Sequence, residues 1–343
     1  MKVLIISPYP TFGGALTANQ NIARMLAMAG NDVYMADEFG NITREEDSFK
    51  VVDLPVYSWR LTGKHKVLRH ILDEGYDYVL FGMPHMTVFY LWVTLYLKFF
   101  SKVRTGTIFH SLCLGTGLKD RVYERLIAFA TLAADQLIYV SDFTRRSWEK
   151  FLSVRMSPAG IFIRHNAVLQ LDVAHTEPEG KPRLSLVGRL SGEKRPEAFC
   201  RIAEQLSDSF DFFVWGNGPL EEQLKEKYSE HVNFMGYVSD MGHVYSHTDI
   251  LMMTSDFENC PMVILEARTL GVPALTVNVG GISEIVREGY NGRFFDLEEE
   301  PQTIKEKLMD ILANKEDYRK NCLDSALTLQ NYAASWNELI NAE

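Results

Sequence analysis

Short apolar runs alternate with helix-forming segments along most of this chain, and this alternation limits the fold more than any other feature. Each run is about four to six residues long and rich in branched or aromatic side chains, as buried strands are. Strands that alternate with helices build parallel sheets with helices packed against them. The pattern therefore predicts an α/β protein. Strands are predicted at 2–7, 32–36, 78–81, 105–110, 136–140 and 160–163, and again at 183–187, 211–215, 232–235, 250–253, 274–277 and 292–295.

Length and linker composition indicate two domains. The chain has 343 residues, 46% of them hydrophobic, which exceeds the usual size of one α/β domain. A polar, turn-rich stretch with two prolines near 166–182 separates the two series of strands. We expect the domain boundary in this stretch.

The charge is unevenly distributed between the two halves. The net charge is -10, with an excess of four basic residues over 1–167 and of fourteen acidic residues over 168–343. A basic first half could contact anionic lipid or a phosphorylated acceptor, whereas scattered solvated lysines are the simpler interpretation. The sequence leaves both open. An acidic chain without a recognisable binding motif argues against nucleic acid.

Cysteine usage and hydropathy favour a reduced, cytoplasmic setting. The four cysteines show no Cys-x-x-Cys spacing, which argues against zinc and against paired disulfides. The apolar run that opens the chain is too short for a signal peptide and predicts a first buried strand. Lys98 interrupts the most apolar stretch, 86–100, which is shorter than the roughly 20 residues of a membrane span. We expect a buried helix there.

One segment, 257–267, has the chemistry of a ligand-binding helix start. Glu258 and Glu266 bracket seven residues that include Pro261. Proline suits the first helical position, and Asn259 or Cys260 would then be the N-cap. The unpaired amides of residues 260–263 would point toward Glu258 and could bind a phosphate or another polar ligand.

The motifs that follow this segment carry a family resemblance. They are Glu266-Ala267, Gly271-Val272-Pro273-Ala274, Gly280-Gly281-Ile282-Ser283-Glu284-Ile285-Val286 and Gly289-Tyr290-Asn291-Gly292. In this order they resemble the Glu-x7-Glu signature of retaining GT-B glycosyltransferases of family 4, the glycosyl transferases group 1.

The resemblance implies a particular architecture. Two Rossmann-like domains with parallel sheets would face each other across a cleft. The acceptor-binding domain would comprise 1–167 together with a C-terminal helix at about 327–343. The domain that binds the nucleotide-sugar would comprise 168–326.

The same resemblance implies the catalytic residues. Arg189 and Lys194 lie in a Gly-Arg-Leu…Lys segment and would neutralise the diphosphate, one as a planar fork and the other as a point charge. Glu258 would reach the donor sugar. His110, at the end of a predicted strand, matches the histidine that the family places near the donor sugar and β-phosphate.

The implied donor-binding residues come from several loops. Glu266 would accept hydrogen bonds from the ribose, glycines would approach the phosphates, and two loops would flank the base. The set is Gly13, Gly14, Gly188, Gly216, Tyr237, Val238, Asn259, Cys260, Pro261, Met262, Val263 and Glu266. The family commonly has Gly-Phe where this chain has Asn259-Cys260, so a sugar preference does not carry over.

The function implied is retaining transfer of a sugar from a UDP- or GDP-sugar to a saccharide or lipid-linked acceptor. Cell-envelope polysaccharide or glycolipid synthesis would be its setting, in the cytoplasm or peripherally at the inner face of an anionic membrane. The chain contains no Asp-x-Asp, so we expect neither a metal nor another cofactor, with lysine, arginine and a helix N-terminus replacing the cation.

The sequence also fits alternative functions. A nucleotide-sugar epimerase or hydrolase would use the same fold, as would a catalytically silent scaffold that partners another transferase. Glycoside hydrolysis is disfavoured, because glutamates eight apart on one helix would be roughly 12 Å apart, far from the roughly 5 Å of a retaining pair.

Overall fold

The computed structural model describes residues 1–7, 13–40, 42, 48–56, 61–113, 117–152 and 160–342. The chain divides into two compact units, Met1–Ala167 with Leu329–Glu343, and Val168–Thr328. None of the helices in the described ranges combines the length and the hydropathy that crossing a membrane requires.

The first unit is built on a seven-stranded parallel sheet. Its strands are β1 (Lys2–Ile6), β2 (Asp32–Asp37), β3 (Lys50–Asp53), β4 (Tyr78–Phe81), β5 (Arg104–Phe109), β6 (Gln136–Tyr139) and β7 (Gly160–Ile163). They are arranged in the order β3-β2-β1-β4-β5-β6-β7. The chain builds outward from β1 to β3 and then crosses back to place β4 on the other side of β1. A switch point of the sheet therefore lies between β1 and β4.

Helices pack against this sheet. They are α1 (Gly14–Met28), α2 (Leu61–Glu74), α3 (His85–Phe89), α4 (Leu91–Phe100), α5 (Leu118–Thr131) and α6 (Asp142–Leu152). Helix α1 ends before Gly30, whose φ of 86° is the left-handed conformation that glycine adopts readily. The central strands β1 and β4 are almost entirely buried, so the core of this unit surrounds the switch point.

The stretch 86–100 departs from its prediction. It forms parts of two helices, α3 and α4, and it is not buried throughout. Val93 and Leu97 face the core, whereas Phe99 and Phe100 are 70% and 76% exposed. A helix buries one face against a sheet, so apolar residues that occupy every face leave some in solvent.

The second unit contains a six-stranded parallel sheet. Its strands are β8 (Arg183–Val187), β9 (Asp211–Trp215), β10 (Asn233–Gly236), β11 (Ile250–Met253), β12 (Ala274–Val277) and β13 (Gly292–Phe295). Their order is β10-β9-β8-β11-β12-β13, which puts the switch point between β8 and β11. The helices of this unit are α7 (Pro196–Leu206), α8 (Glu221–Tyr228), α9 (Met241–Ser246), α10 (Met262–Thr269), α11 (Pro301–Ala313) and α12 (Lys315–Asp324).

The last helix, α13 (Leu329–Asn341), belongs to the first unit. Trp336 is 1% exposed in that unit. Asn337 Oδ1 accepts a hydrogen bond from Asn31 Nδ2 at 3.0 Å, beside the end of α1. Gln136 Nε2 donates to the carbonyl of Leu339 at 2.9 Å. These contacts fasten the C-terminal helix to both α1 and β6.

The predicted α/β class is confirmed, and every predicted strand lies within one residue of an observed strand at each end. The prediction missed β3. This strand has only two apolar residues, and it lies at the edge of the sheet with neither of them fully buried. An edge strand of four residues lacks the apolar run that identifies buried strands.

Candidate active site

The sequence-predicted residues of the second unit gather at the carboxyl ends of its strands. Lys194 lies in the loop after β8, and Glu258 lies in the loop after β11, so the two flank the switch point. Lys194 Nζ is 2.6 Å from Glu258 Oε1. In open parallel sheets this crevice is where ligands bind. The fold thus brings two residues that are 64 positions apart in the chain into one ion pair.

The backbone of the loop after β8 is held by the residues that follow β11. Thr254 Oγ1 donates to the carbonyl oxygens of Lys194 and Arg195, at 3.0 and 2.9 Å. The amide of Asp256 donates to the carbonyl of Glu193 at 2.9 Å. Arg195 has a φ of 46°, the one positive φ of a non-glycine residue in the described ranges. That conformation costs roughly 1–2 kcal/mol, so these hydrogen bonds hold the Lys194 loop against a local preference.

Glu258 is a nearly buried carboxylate with a fixed backbone. It is 8% exposed, and Ser255 Oγ donates to the same oxygen as Lys194, at 2.8 Å. The carbonyl of Glu258 accepts a hydrogen bond from the amide of Gly281 at 2.9 Å. The Lys194 side chain is 33% exposed, so its ammonium group can meet a ligand while it remains paired with Glu258.

The structure corrects the predicted start of the helix between the two glutamates. Helix α10 begins at Met262, and Pro261 is its N-cap, with an extended backbone at φ -67° and ψ 123°. Neither Asn259 nor Cys260 is the N-cap residue. The proline ring fixes φ but not ψ, and the extended ψ places Pro261 before the helix. No side chain caps α10, so the amides of its first turn lack side-chain partners from the N-cap.

Glu266 lies on α10 and is paired with a residue that the sequence did not single out. Tyr245 OH donates to Glu266 Oε2 at 3.0 Å. Burial raises the pKa of Glu266, against the effect of this hydrogen bond, and burial also raises the pKa of Tyr245. Tyr245 is fully buried in the short helix α9, where a tyrosine has the appearance of an ordinary core residue.

Two glycines allow the loops after β8 and β9 to touch. A Cβ on Gly216, whose φ is 136°, would lie 1.9 Å from the carbonyl oxygen of Gly188. The amide of Leu190 donates to the carbonyl of Asn217 at 2.9 Å, and the amide of Gly216 donates to that of Gly236 at 2.7 Å. The loops that follow β8, β9 and β10 are thereby tied together.

The other predicted donor-binding residues differ in exposure. Tyr237, just after β10, is 72% exposed, and Val238 is half-buried. Cys260 and Pro261 are buried, whereas Asn259, Met262 and Val263 are half-buried.

Arg189 is an exposed cation beside this group. Within the described ranges the structure shows no hydrogen bond or ion pair for its guanidinium group. Neighbouring Arg195 instead pairs with Asp256 at 3.3 Å. Arg189 is therefore the cation of this loop best placed to bind an anionic ligand.

The first unit holds the remaining sequence-predicted residues, Gly13, Gly14 and His110. His110 directly follows β5, and burial lowers its pKa to about 4, so the ring is neutral near pH 7. Gly13 is the N-cap of α1, and Gly14 is the first residue of that helix. A Cβ on Gly13 would meet nothing within 4 Å, and its φ of 178° is open to any residue. The described fold does not itself require a glycine at 13.

The fold and the site together define a two-unit Rossmann-like protein. The switch point of the second unit's sheet has two cations, Arg189 and Lys194. It also has two carboxylates, Glu258 and Glu266, and the N-terminus of α10. Residues 170–326 match the sequence model of the glycosyl transferases group 1, and residues 12–168 match that of glycosyltransferase family 4. The chain belongs to this family of glycosyltransferases, as its motifs indicated.

Individual relatives match about half or most of the chain. One is the O-antigen biosynthesis glycosyltransferase WbnH of Escherichia coli, 32% identical over 162 residues that make up 46% of each chain. The match thus spans about half the length of that relative. Another is the N-acetyl-alpha-D-glucosaminyl L-malate synthase of Bacillus anthracis, 20% identical over 93% of this chain and 90% of its own.

A solved structure supports the same fold. HepE of Anabaena, determined in complex with UDP, superposes with a TM-score of 0.81 over the whole of both chains at 16% identity. At this identity the likeness concerns the fold alone, and it confirms the predicted GT-B architecture.

Proposed function

We propose that this protein transfers a sugar from a nucleotide-diphosphate donor to an acceptor hydroxyl with retention of configuration. The observation that carries the proposal is the Lys194–Glu258 pair, 2.6 Å apart beside the uncapped start of α10. Arg189 adds an exposed cation to the same edge. The names of the relatives agree with this, since WbnH acts in O-antigen biosynthesis and HepE was determined with UDP-glucose.

The chemical task of this site is to stabilise a departing diphosphate. When the bond from the anomeric carbon to the phosphate oxygen breaks, its electron pair stays on that oxygen. Arg189, Lys194 and the first-turn amides of α10 would meet this growing charge with a fixed fork, a point charge and a positive dipole end. Groups that are oriented in advance stabilise such charge without reorganisation.

The acceptor hydroxyl would attack from the face that the leaving group vacates. Its proton would pass to the departing phosphate oxygen, which leaves the nucleoside diphosphate and the new glycosidic bond with retained configuration. Glu258 would hold Lys194 in place and accept hydrogen bonds from the donor sugar. We expect no metal or other cofactor, because the protein's own cations can supply the positive charge.

Glu266 is suited to the ribose of a nucleotide. Burial raises its pKa, and Tyr245 supplies one hydrogen bond to Oε2. A carboxylate has about four acceptor sites, and each further hydrogen-bond donor stabilises its ionised form when it is buried. Two ribose hydroxyls would satisfy more of these sites and favour the ionised form.

One face of the first unit is suited to a lipid surface, and we propose that it contacts anionic membrane. Leu118 and Phe129, on one stripe of α5, are 81% and 71% exposed. Lys98 Nζ donates to the carbonyl of Ala133 at 3.2 Å, which joins the exposed end of α4 to the end of α5. Residues 91–132 carry six basic and two acidic side chains. Apolar residues flanked by cations bind anionic lipid interfaces.

A lipid-linked acceptor at the inner face of the membrane would follow, in cell-envelope polysaccharide or glycolipid synthesis. Cosedimentation with vesicles of anionic lipid at low salt tests the contact. The double variant Leu118→Ser, Phe129→Ser should lose binding, and Met309→Ser, an exposed apolar residue of the second unit, should retain it. Equal binding to neutral vesicles, or equal binding by both variants, would refute this assignment.

The donor site is tested by thermal shift with UDP, GDP, ADP and their sugars. A ligand that binds only the folded protein raises its apparent stability according to its affinity. One nucleotide class should stabilise the wild type but not Glu266→Ala. Stabilisation by none would favour the silent scaffold, and turnover of the sugar-nucleotide without any acceptor would favour the epimerase or hydrolase.

A further inference from the structure

A buried asparagine in the first unit joins the ends of three strands. Asn19 lies on α1 and is fully buried. Its Nδ2 donates to Ser7 Oγ, after β1, at 2.8 Å and to the carbonyl of Gly82, after β4, at 3.2 Å. Its Oδ1 lies 2.9 Å from Nε2 of His110, after β5. These contacts lie at the carboxyl edge of the sheet, on both sides of its switch point.

The network fixes which nitrogen of His110 carries the proton. The carbonyl of Gly82 can only accept, so the group of Asn19 that faces it must be the NH2 group. The oxygen of the amide therefore faces His110 and can only accept. Nε2 must then donate, and in a neutral imidazole Nδ1 carries the lone pair.

The packing around this amide leaves little freedom for it to turn. A Cβ on Gly82 would lie 2.3 Å from Asn19 Nδ2, so only glycine allows the two groups to meet. The groups of this network are the Ser7 hydroxyl, the Asn19 amide and the Gly82 carbonyl; all are uncharged, and of the three the amide contacts the ring. Burial lowers the pKa of His110 to about 4, which agrees with a neutral ring at physiological pH.

We propose that Asn19 is a positioning residue, which holds His110 as the neutral Nε2–H tautomer. A substrate group that meets Nδ1 must then be a donor, such as a sugar hydroxyl, and not a phosphate oxygen. This last step rests on the proposed function. It gives His110 a role in orienting a sugar rather than in neutralising phosphate charge.

The tautomer can be measured without any substrate. Protein labelled with 15N at histidine gives a protonated and an unprotonated ring nitrogen at different shifts, and His110→Gln identifies the signals. We expect Nε2 protonated and Nδ1 unprotonated in the wild type, unchanged from pH 8 to pH 6 because the ring does not titrate there. Asn19→Ala should produce a tautomer mixture.

Asn21 supplies a matched control on the same helix. It is also buried, and its Nδ2 donates to the carbonyl of Ala167 at 2.9 Å. Asn21→Ala removes this hydrogen bond and the one that Asn21 Oδ1 accepts from Arg24 at 2.6 Å, yet it should leave the His110 signals unchanged. Protonated Nδ1 in the wild type, or an unchanged spectrum in Asn19→Ala, would overturn the proposal.

Kinetics then test the consequence for substrate. Asn19→Ala should lower kcat about tenfold, as expected for one lost orienting hydrogen bond, with little change in donor KM. Asn21→Ala should leave kcat unchanged. If the spectra behave as expected but no sugar is transferred, the tautomer assignment stands and the proposed function fails.

Discussion

Replacing Gly280 with alanine should impair the candidate active site by displacing the backbone of Glu258. Gly280 has a φ of 64°, and a Cβ built there lies 1.8 Å from the carbonyl oxygen of Glu258. Real Cβ contacts essentially never fall below 3.0 Å, so the two groups must separate by about 1.2 Å. This displacement would also strain the hydrogen bond from the amide of Gly281 to the same oxygen, now 2.9 Å long.

The magnitude follows from two separable effects. The left-handed backbone costs alanine roughly 1–2 kcal/mol, and the overlap adds roughly 1–3 kcal/mol. A shift of about 1 Å in a group that positions substrate can cost about 10²-fold in rate. Since Glu258 is joined to Lys194 over only 2.6 Å, a displaced Glu258 should misplace the ammonium group as well.

Gly289 provides the control for the backbone effect. Its φ of 69° is nearly the same, but a Cβ there meets nothing within 4 Å. Urea unfolding should show a loss of roughly 1–2 kcal/mol for Gly289→Ala and a larger loss for Gly280→Ala. Initial rates of sugar transfer should fall about 10²-fold in Gly280→Ala and stay near wild type in Gly289→Ala. Equal losses of stability and of rate in the two variants would refute this reasoning.

Further predictions concern charge. Lys194→Ala should lower kcat by about 10²-fold or more while Glu266→Ala mainly raises donor KM, and steady-state kinetics with the opposite division would contradict the assigned roles. Burial opposes ionisation of Asp249, but hydrogen bonds from His175 and Arg183 outweigh it and lower the pKa to about 2. Its contribution of about 2 kcal/mol should therefore be present above its unfolded pKa near 3.8 and disappear as the pH falls through about 2, as urea unfolding of wild type against Asp249→Asn would show. Asp249→Ala should cost about 3–5 kcal/mol, because it leaves Arg183 buried without its anion. EDTA should leave transfer rates unchanged, and restoration of a lost activity by manganese would contradict the metal-independent proposal.

The sequence was sufficient to predict every strand except β3, because the apolar run that marks a buried strand is a local feature of the sequence. A run such as Ile250–Met253 is apolar throughout, and such runs are buried in parallel sheets whatever their neighbours. The edge strand β3 was missed because Lys50–Asp53 has only two apolar residues. The start of α10 was misplaced because a proline fits both an N-cap and a first helical position, and only ψ distinguishes them.

The sequence also identified candidate residues by their motifs and by the family resemblance that these motifs carry. Lys194, Glu258 and His110 all follow a strand, and parallel strands end at one edge of their sheet. Partners that come from helices had no such signal. Tyr245 and Asn19 have the appearance of core residues, and neither belongs to a motif.

Local sequence thus determined the buried strands of this protein, its alternating α/β class and the loops that carry its motifs. Only the tertiary structure decided which side chains meet. Lys194 reaches Glu258 because β8 and β11 are neighbours in the sheet although two strands separate them in the chain. His110 is 91 residues from Asn19, and the hydrogen bond between them requires β1, β4 and β5 to lie side by side beneath α1. Strand order arises from packing of the whole sheet and its crossovers, a property that no single segment of the sequence contains.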